Sequence, residues 1–255
     1  MITLRRYNDF FGYTVPWYSI FVGIAVAAMG YWLYLGLKRD FKNIDENKIL
    51  FCFPLSLLFG VITAAVFDTI FRGTWKTWIN GGVKEFGFTF FGWAIGVLCF
   101  SAAWGKIQNI GAKRMVDFFA PSLALAQAFG RIGCFLGGCC YGCPSDKLGF
   151  CYPPGSLPYE KVGNVALFPV QLVESLMLFL LFYLCVKVNR KMRCSIYLIV
   201  VSINRCILEC FRYDNRGIVF NQNFISPSQT VSIILFFIGI VMLYYSLNTI
   251  NDNSK

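Results

Sequence analysis

The chain has 255 residues, of which 57% are apolar, 18% aromatic and only 14% charged, and it carries a formal net charge of +10 with no histidine. This composition, with a mean hydropathy of +0.59, excludes an ordinary soluble domain and is typical of a protein that crosses a membrane several times. The basic residues lie in short loops beside apolar runs, so they indicate anionic lipid headgroups as partners and no nucleic acid.

Long apolar runs follow one another along the chain. A membrane-spanning helix needs about 20 mostly apolar residues, and runs of that size predict seven helices, at residues 14–37, 50–71, 86–104, 116–136, 167–186, 194–211 and 229–247. Strands of an outer-membrane barrel would instead alternate over about 10 residues. The sequence therefore predicts an all-α, polytopic integral membrane protein, built as a single domain over residues 1–255.

The first run follows Arg5 and Arg6 and continues to Leu37, which is too long for the hydrophobic region of a typical signal peptide. We expect it to be retained as a helix. With the amino terminus outside, the loops and tail that face inside hold 12 lysines and arginines, and those outside hold 9. This difference favours that orientation, although the Arg5-Arg6 pair favours the opposite one for the first helix.

The fourth run ends in the segment GRIGCFLGGCCYGCPSDKLGFC, from Gly130 to Cys151. Arg131 is costly inside a membrane and is therefore a candidate for function, because a guanidinium can donate two parallel hydrogen bonds to a phosphate. Glycines beside it let the backbone turn and present N–H groups to an anion. The alternative is that Gly133 and Gly137, with four-residue spacing, only permit close helix packing.

Residues 137–166 predict a small cap between the fourth and fifth helices.

Two further polar clusters lie on helix faces. Gln171 and Glu174 share one face of the fifth predicted helix, and Arg205, Glu209 and Arg212 share one face of the sixth. Arg205 and Glu209 could simply neutralise each other inside the bundle. Because the interior arginines outnumber the interior carboxylates, an anionic ligand could instead complete the balance.

Motifs in a fixed order extend over most of the chain: Trp17-Tyr18, Gly81-Gly82 before FGFTFFGWAIG, GRIGCFLGGCCYG, FPVQLVES, and Arg205-x-x-x-Glu209 with Arg212. In that order they resemble the bacterial prolipoprotein diacylglyceryl transferase family. The resemblance implies a seven-helix enzyme of the bacterial inner membrane without cofactor or metal. It would act in the lipid bilayer and move the diacylglyceryl group of phosphatidylglycerol onto the lipobox cysteine thiol of a lipoprotein precursor, releasing glycerol phosphate.

The resemblance also implies roles for individual residues. Arg131 and Arg205 would hold the phosphate and stabilise its charge as it leaves, and Glu209 would orient Arg205 or accept a proton. Substrate-binding positions would be Tyr18, Gly133, Cys134, Gly138, Cys139, Gly142, Gln171, Glu174 and Arg212.

Three positions depart from the family pattern. Phe91 stands where the family has its histidine, Cys134 where it has the signature asparagine, and Cys139 where it has the signature glutamate. A free thiol with a pKa of about 8.5 is only slightly ionised at neutral pH. Another base is therefore needed, and Glu209 is the candidate, helped by arginines that lower the pKa of the incoming thiol.

The cysteines support competing interpretations. Cys140 and Cys143 form a C-x-x-C pair near Cys134, Cys139 and Cys151, as expected of a membrane thiol-disulfide oxidoreductase or of a structural disulfide from Cys139 or Cys140 to Cys151. Zinc is disfavoured because a second C-x-x-C pair and histidines are missing. A noncatalytic lipid-binding relative is the remaining alternative.

Overall fold

The computed structural model describes residues 7–10, 13–42, 44–72, 89–213 and 226–252. In chain order, the elements in these ranges are β1 (Tyr7–Phe10), β2 (Tyr13–Pro16), α1 (Trp17–Asp40), α2 (Glu46–Arg72), α3 (Phe90–Ile107), α4 (Ala112–Leu136), α5 (Leu157–Val162), α6 (Val170–Lys187), α7 (Arg193–Glu209) and α8 (Pro227–Asp252). The two strands pair as a small antiparallel hairpin before α1. The Arg5-Arg6 pair and the Gly81-Gly82 motif lie outside the described residues.

The predicted all-α membrane architecture is confirmed. A long helix covers the core of each of the seven predicted runs, and within the described ranges six helices are long and apolar enough to cross a membrane. The exception is α7, which has 17 residues and buries polar side chains such as Asn204 and Arg205. Polar groups in such a helix have to face the interior of the bundle.

Helix α4 is the centre of the bundle and packs against α1, α3, α6 and α7. Small side chains let its neighbours approach, since Ala120, Ala124 and Ala128 are fully buried. α1 runs antiparallel to α4. Its Gly36 faces Phe118 near the start of α4, and its Phe21 faces Gly133 near the end.

Basic segments meet at one end of the bundle. The Asp40 carboxylate forms ion pairs with Arg190 at 2.9 Å and Arg193 at 3.3 Å. Lys113 pairs with Asp117 at 2.5 Å, and Asp117 also accepts the Cys194 amide at 2.8 Å. The three basic loops that the sequence predicts on the inner side therefore lie together, whereas the segment after Arg131 lies at the opposite end.

A small cap covers that opposite end, as predicted. It spans residues 137–169, includes α5, and contains a core in which Phe135, Tyr141, Tyr152 and Leu167 are buried together. Gly142 pairs through its backbone with Arg212, just after α7. The cap is thereby fastened to both α4 and α7.

Helices α2 and α3 pack through glycine. A Cβ atom at Gly92 would lie 2.8 Å from the Ala64 Cα and 2.9 Å from the Thr63 carbonyl oxygen, and the Thr63 hydroxyl donates to the Gly92 carbonyl at 2.9 Å. Because the obstructing atoms belong to the backbone, they cannot move aside cheaply. Gly92 thus sets the position of its neighbour Phe91.

We expect Gly92→Ala to destabilise the protein by about 1–3 kcal/mol, the usual effect of overpacking, measured as thermal unfolding in detergent. Gly23→Ala in α1 is the matched control, because a Cβ atom there meets nothing within 4 Å. An unfolding temperature for Gly92→Ala equal to that of the control would contradict this account of the packing.

Candidate active site

Two buried arginines from different helices share one carboxylate. Glu174 on α6 contacts Arg131 of α4 at 3.0 Å and Arg205 of α7 at 3.5 Å. Arg205 also pairs with Glu209, one helical turn further on, at 2.9 Å. Arg205 is only 2% exposed, and Arg131 and Glu174 are 9% and 6% exposed. The predicted charged residues therefore form one continuous network.

The network lies close to the end of the bundle that carries the cap. Arg131 is five residues before the end of α4, and Glu174 is four residues after the start of α6, which places both about 6–8 Å inside their helix ends. Arg212, beyond the end of α7, acts electrostatically on Arg205 and on Glu209. Among the described residues, Arg131, Arg205 and Arg212 thus lie near the carboxylates of Glu174 and Glu209.

Part of the network has unused hydrogen-bonding capacity. Among the described residues, Nε of Arg205 and Oε1 of Gln127 are buried without a hydrogen-bond partner. A small cavity of about 10 Å³ lies beside Gln127 and is lined also by Phe90, Phe91, Arg131 and Glu174. A buried unpaired donor such as Arg205 Nε is costly, so it is available to an oxygen of a ligand that reaches the network.

Phe91 takes part in this arrangement. Its ring lies 5.9 Å from the Arg205 guanidinium carbon, within the range of a cation–π contact. An aromatic ring at this position can hold the guanidinium in place but cannot transfer a proton. Phe91 therefore helps to position the Arg205 guanidinium and supplies no acid–base chemistry.

Ser228 belongs to the site, although the sequence did not predict it. Its hydroxyl donates to Glu209 Oε1 at 2.6 Å and lies 3.5 Å from Arg205 Nη2. It is held in the first turn of α8 by a capping box, in which the Ser226 hydroxyl accepts the Gln229 amide and the Gln229 side chain accepts the Ser226 amide. The Ser-Pro-Ser-Gln sequence was the signal that could have located it.

Gln171 connects the helices to the cap. It is 1% exposed, and its amide donates to the Cys139 carbonyl at 2.7 Å and to the Tyr152 hydroxyl at 3.3 Å. Burial raises the pKa of Tyr152, so this hydroxyl stays protonated at neutral pH. Gln171 thus fixes the backbone around Cys139 and lies outside the charged network.

The end of α4 folds back on itself. The Cys139 amide donates to the Cys134 carbonyl and the Gly138 amide to the Phe135 carbonyl, with Gly138 at a φ of +69°, which is a Schellman motif with glycine in the left-handed position. Cys140 follows with a φ of +61°. As a result, the sulfur atoms of Cys134, Cys139 and Cys140 all lie within 4.8 Å of one another.

The other cysteines do not join this cluster. Cys143 lies outside the group of three, and its amide donates to the Phe211 carbonyl at 2.9 Å. Cys151 is a free thiol, so the expected disulfide from Cys139 or Cys140 to Cys151 is wrong. Hydrogen bonds with Cys134 and Cys139 hold the pKa of the Cys140 thiol well below its usual range.

Tyr18, at the start of α1, lies beside the cluster. A Cβ atom at Gly133 would be 3.4 Å from the Tyr18 carbonyl oxygen and 2.9 Å from Phe21 Cβ. The Tyr18 hydroxyl is close enough to Arg131 and to the cysteines for direct electrostatic interaction. The close-packing alternative therefore applies to Gly133, which lets Tyr18 approach the site.

The predicted site residues fall into two groups in the structure. One group shapes the cap, and the other meets at the charged site. Gly142 acts through the backbone, because a Cβ atom there would lie 2.5 Å from the Phe168 carbonyl oxygen and 2.9 Å from that of Phe211. It shapes the cap together with Gly138 and Gln171. The members brought together at the site are Tyr18, Arg131, Gly133, Cys134, Cys139, Glu174, Arg205, Glu209 and Arg212.

Comparison with known proteins identifies relatives along the whole chain. A model of the prolipoprotein diacylglyceryl transferase family matches residues 8–245. The phosphatidylglycerol–prolipoprotein diacylglyceryl transferase 2 of Clostridium perfringens is 30% identical over 97% of this chain and 96% of its own. The corresponding transferase of Clostridium tetani is 38% identical over 60% of this chain and 62% of its own, and that of Finegoldia magna is 29% identical over 96% and 97%.

Glu174→Gln removes the carboxylate that both arginines share. We expect a loss of about 3–5 kcal/mol in the free energy of unfolding, because a buried charge is left uncompensated. Thermal unfolding in detergent, followed by circular dichroism, measures it. Glu160→Gln, at an exposed position on α5, is the control and should have no effect. Equal unfolding temperatures for the two variants would show that Glu174 does not compensate the arginines.

Proposed function

Because the chain belongs to the prolipoprotein diacylglyceryl transferase family, we propose that it transfers the diacylglyceryl group of phosphatidylglycerol to the lipobox cysteine thiol of a prolipoprotein. The observation that carries the proposal is the pair of buried arginines, Arg131 and Arg205, bridged by Glu174. Such a pair near the end of a membrane bundle suits the phosphate of a lipid headgroup.

The donor phosphate would bind between the arginines. Guanidinium groups bind phosphate oxygens through parallel hydrogen bonds, and the unpaired Nε of Arg205 offers one further donor. Glu174 and Glu209 keep the guanidinium planes in fixed orientations, so little reorganisation is needed when the lipid arrives. The acyl chains of the donor would remain in the surrounding bilayer.

In the reaction the acceptor sulfur bonds to the glycerol carbon of the donor, and the bond from that carbon to the phosphate oxygen breaks. The electron pair passes to the phosphate, which leaves with glycerol and gains negative charge. Arg131 and Arg205 would stabilise this developing charge in a site from which water is largely excluded. The thiol proton must also leave, and either Glu209 or another group accepts it.

The two ends of the bundle indicate the side of the membrane from which the lipoprotein precursor would reach the site. The arginine site lies at the end opposite the cluster of basic loops, and basic loops favour the inner side of a membrane. We therefore place the site near the outer face of the bacterial inner membrane, with the amino terminus outside. The cap would face the exported precursor.

The thiol-relay alternative has no support in the geometry. Cys143 does not belong to the group formed by Cys134, Cys139 and Cys140, and a relay would use neither Arg131 nor Arg205. A noncatalytic lipid-binding relative would also use the arginine pair to hold a lipid phosphate, and the transfer assay below distinguishes it from an enzyme. Transfer of a phosphate-linked lipid is the function that uses the whole network.

Arg131→Ala should lower the rate of transfer by about 10²–10³-fold, the usual effect of removing one donor to a developing oxyanion. The assay contains the purified protein, phosphatidylglycerol micelles and a lipobox peptide. It follows the mass of the peptide and the release of glycerol phosphate. Lys161→Ala, in the exposed part of the cap, is the matched control. A folded protein that gives no diacylglyceryl peptide would refute the proposal.

Glu209→Gln tests the two roles of this carboxylate. If Glu209 only orients Arg205, the glutamine keeps the hydrogen bond to Ser228 and transfer should fall by less than about tenfold at all pH values. If it accepts the thiol proton, transfer should fall by about 10²–10⁴-fold, with the loss recovered at alkaline pH where the peptide thiol ionises by itself. Full activity would exclude both roles.

A further inference from the structure

The cluster of Cys134, Cys139 and Cys140 has no role in the transfer step proposed for Arg131 and Arg205. The three sulfur atoms lie within 4.8 Å of one another, and all three side chains are partly exposed. Cysteines in membrane helices usually act as small apolar side chains. Three of them converging at the edge of a charged site require a different explanation.

The backbone is built to bring these sulfurs together. The Schellman motif returns Cys139 to Cys134, and the left-handed conformation of Cys140, with a φ of +61°, turns its side chain back onto the same point. A non-glycine residue in this conformation is strained. Gln171 then fixes the carbonyl of Cys139 at 2.7 Å, so the arrangement is held from both sides.

The spacing suits a tetrahedral metal ion. Zinc–sulfur bonds of about 2.3 Å place two sulfur ligands about 3.8 Å apart, which small rotations of three side chains within 4.8 Å can reach. Catalytic zinc sites commonly have three protein ligands and one open position. Because the chain has no histidine, the ligands that this cluster offers to a metal are three cysteine thiolates.

The surrounding charge favours such a site. A zinc ion with three thiolates carries one net negative charge, and a fourth thiolate adds another. Arg131 and Arg212 both act electrostatically on Cys140, so they would compensate this excess. The cluster also adjoins Tyr18 and Arg131, which places the open position next to the proposed phosphate site.

We propose that Cys134, Cys139 and Cys140 bind one Zn²⁺ ion, and that its fourth position takes the acceptor cysteine thiol. This inference rests on the function proposed above. On coordination the zinc–sulfur bond replaces the S–H bond, and the proton leaves to water, because a thiol bound to zinc is deprotonated. The sulfur then attacks the glycerol carbon, and the carbon–oxygen bond to phosphate breaks. Zinc keeps its oxidation state, and the released proton balances the second charge of glycerol phosphate.

This arrangement would replace a general base. The chain has no histidine, and the aromatic Phe91 cannot accept a proton. A metal-bound thiolate is available at neutral pH without a base, and it stands beside the arginines that receive the leaving group. The nucleophile and the leaving group would then be activated by adjacent but separate sets of residues.

Metal binding is tested on the whole chain in detergent, stripped with a chelator under reducing conditions and titrated with zinc against a chromophoric chelator. We expect one zinc ion per chain. Cys134→Ser, Cys139→Ser and Cys140→Ser should each weaken binding by at least about 100-fold, because losing even an indirect partner of a metal ligand weakens binding by about 10–100-fold. Cys143→Ser and Cys151→Ser are the matched controls and should bind as the unaltered protein does.

A second measurement does not depend on the variants folding. Cobalt(II) in place of zinc should give the sulfur-to-metal absorption of a thiolate site. A lipobox peptide with cysteine should change that absorption, whereas the same peptide with serine should not. Failure of the stripped protein to bind zinc or cobalt, a disulfide between two of the three cysteines in protein isolated with blocked thiols, or an equal effect of the two peptides would each overturn the inference.

The outcomes separate this inference from the proposed function. Transfer by metal-free protein at the full rate would refute the zinc role and leave the transferase function standing. Zinc bound by the three cysteines, but no transfer by the folded, zinc-loaded protein, would refute the transferase function and leave the metal site. Loss of transfer on chelation and its return with zinc would support both.

Discussion

The Glu174 carboxylate is the interaction on which the arrangement of the site depends. In a medium of low polarity two guanidinium groups cannot lie side by side without a shared counter-charge. Glu174 contacts Arg131 on one side and Arg205 on the other. It therefore fixes the rotation of α4, α6 and α7 relative to one another.

A second set of ion pairs holds the other end of the same helices. Asp40, at the end of α1, contacts Arg193 at the start of α7, and Asp117 of α4 accepts the backbone amide of Cys194. α4 and α7 are thus joined by polar contacts at both ends and by apolar packing between them. A helix held in this way cannot slide or rotate freely, so the charged network at the site end keeps its geometry without a bound ligand.

The sequence was sufficient for the helices and for the charged residues, because both leave strong local signals. Long apolar runs predicted all seven helices, the cost of burying a charge made Arg131 a candidate, and the family resemblance assigned Arg131, Arg205 and Glu174 to one site. The sequence was not sufficient to predict contacts between side chains that only the folded backbone brings together. Ser228 comes from a helix that begins 18 residues after the end of α7, and the grouping of Cys134 with Cys139 and Cys140 follows from a helix-terminating turn. The C-x-x-C spacing suggested Cys143 instead.

The depth of Arg131, five residues inside the end of α4, has a consequence for kinetics. At about 1.5 Å per residue, the proposed phosphate site lies near the level of lipid headgroups. The donor would then arrive by lateral diffusion within the leaflet, while the acceptor thiol would approach from the aqueous side. The rate then depends on the mole fraction of the donor lipid in the membrane and on the bulk concentration of the acceptor. Diluting the same amount of donor into more neutral lipid would slow the reaction even though its total concentration stays constant.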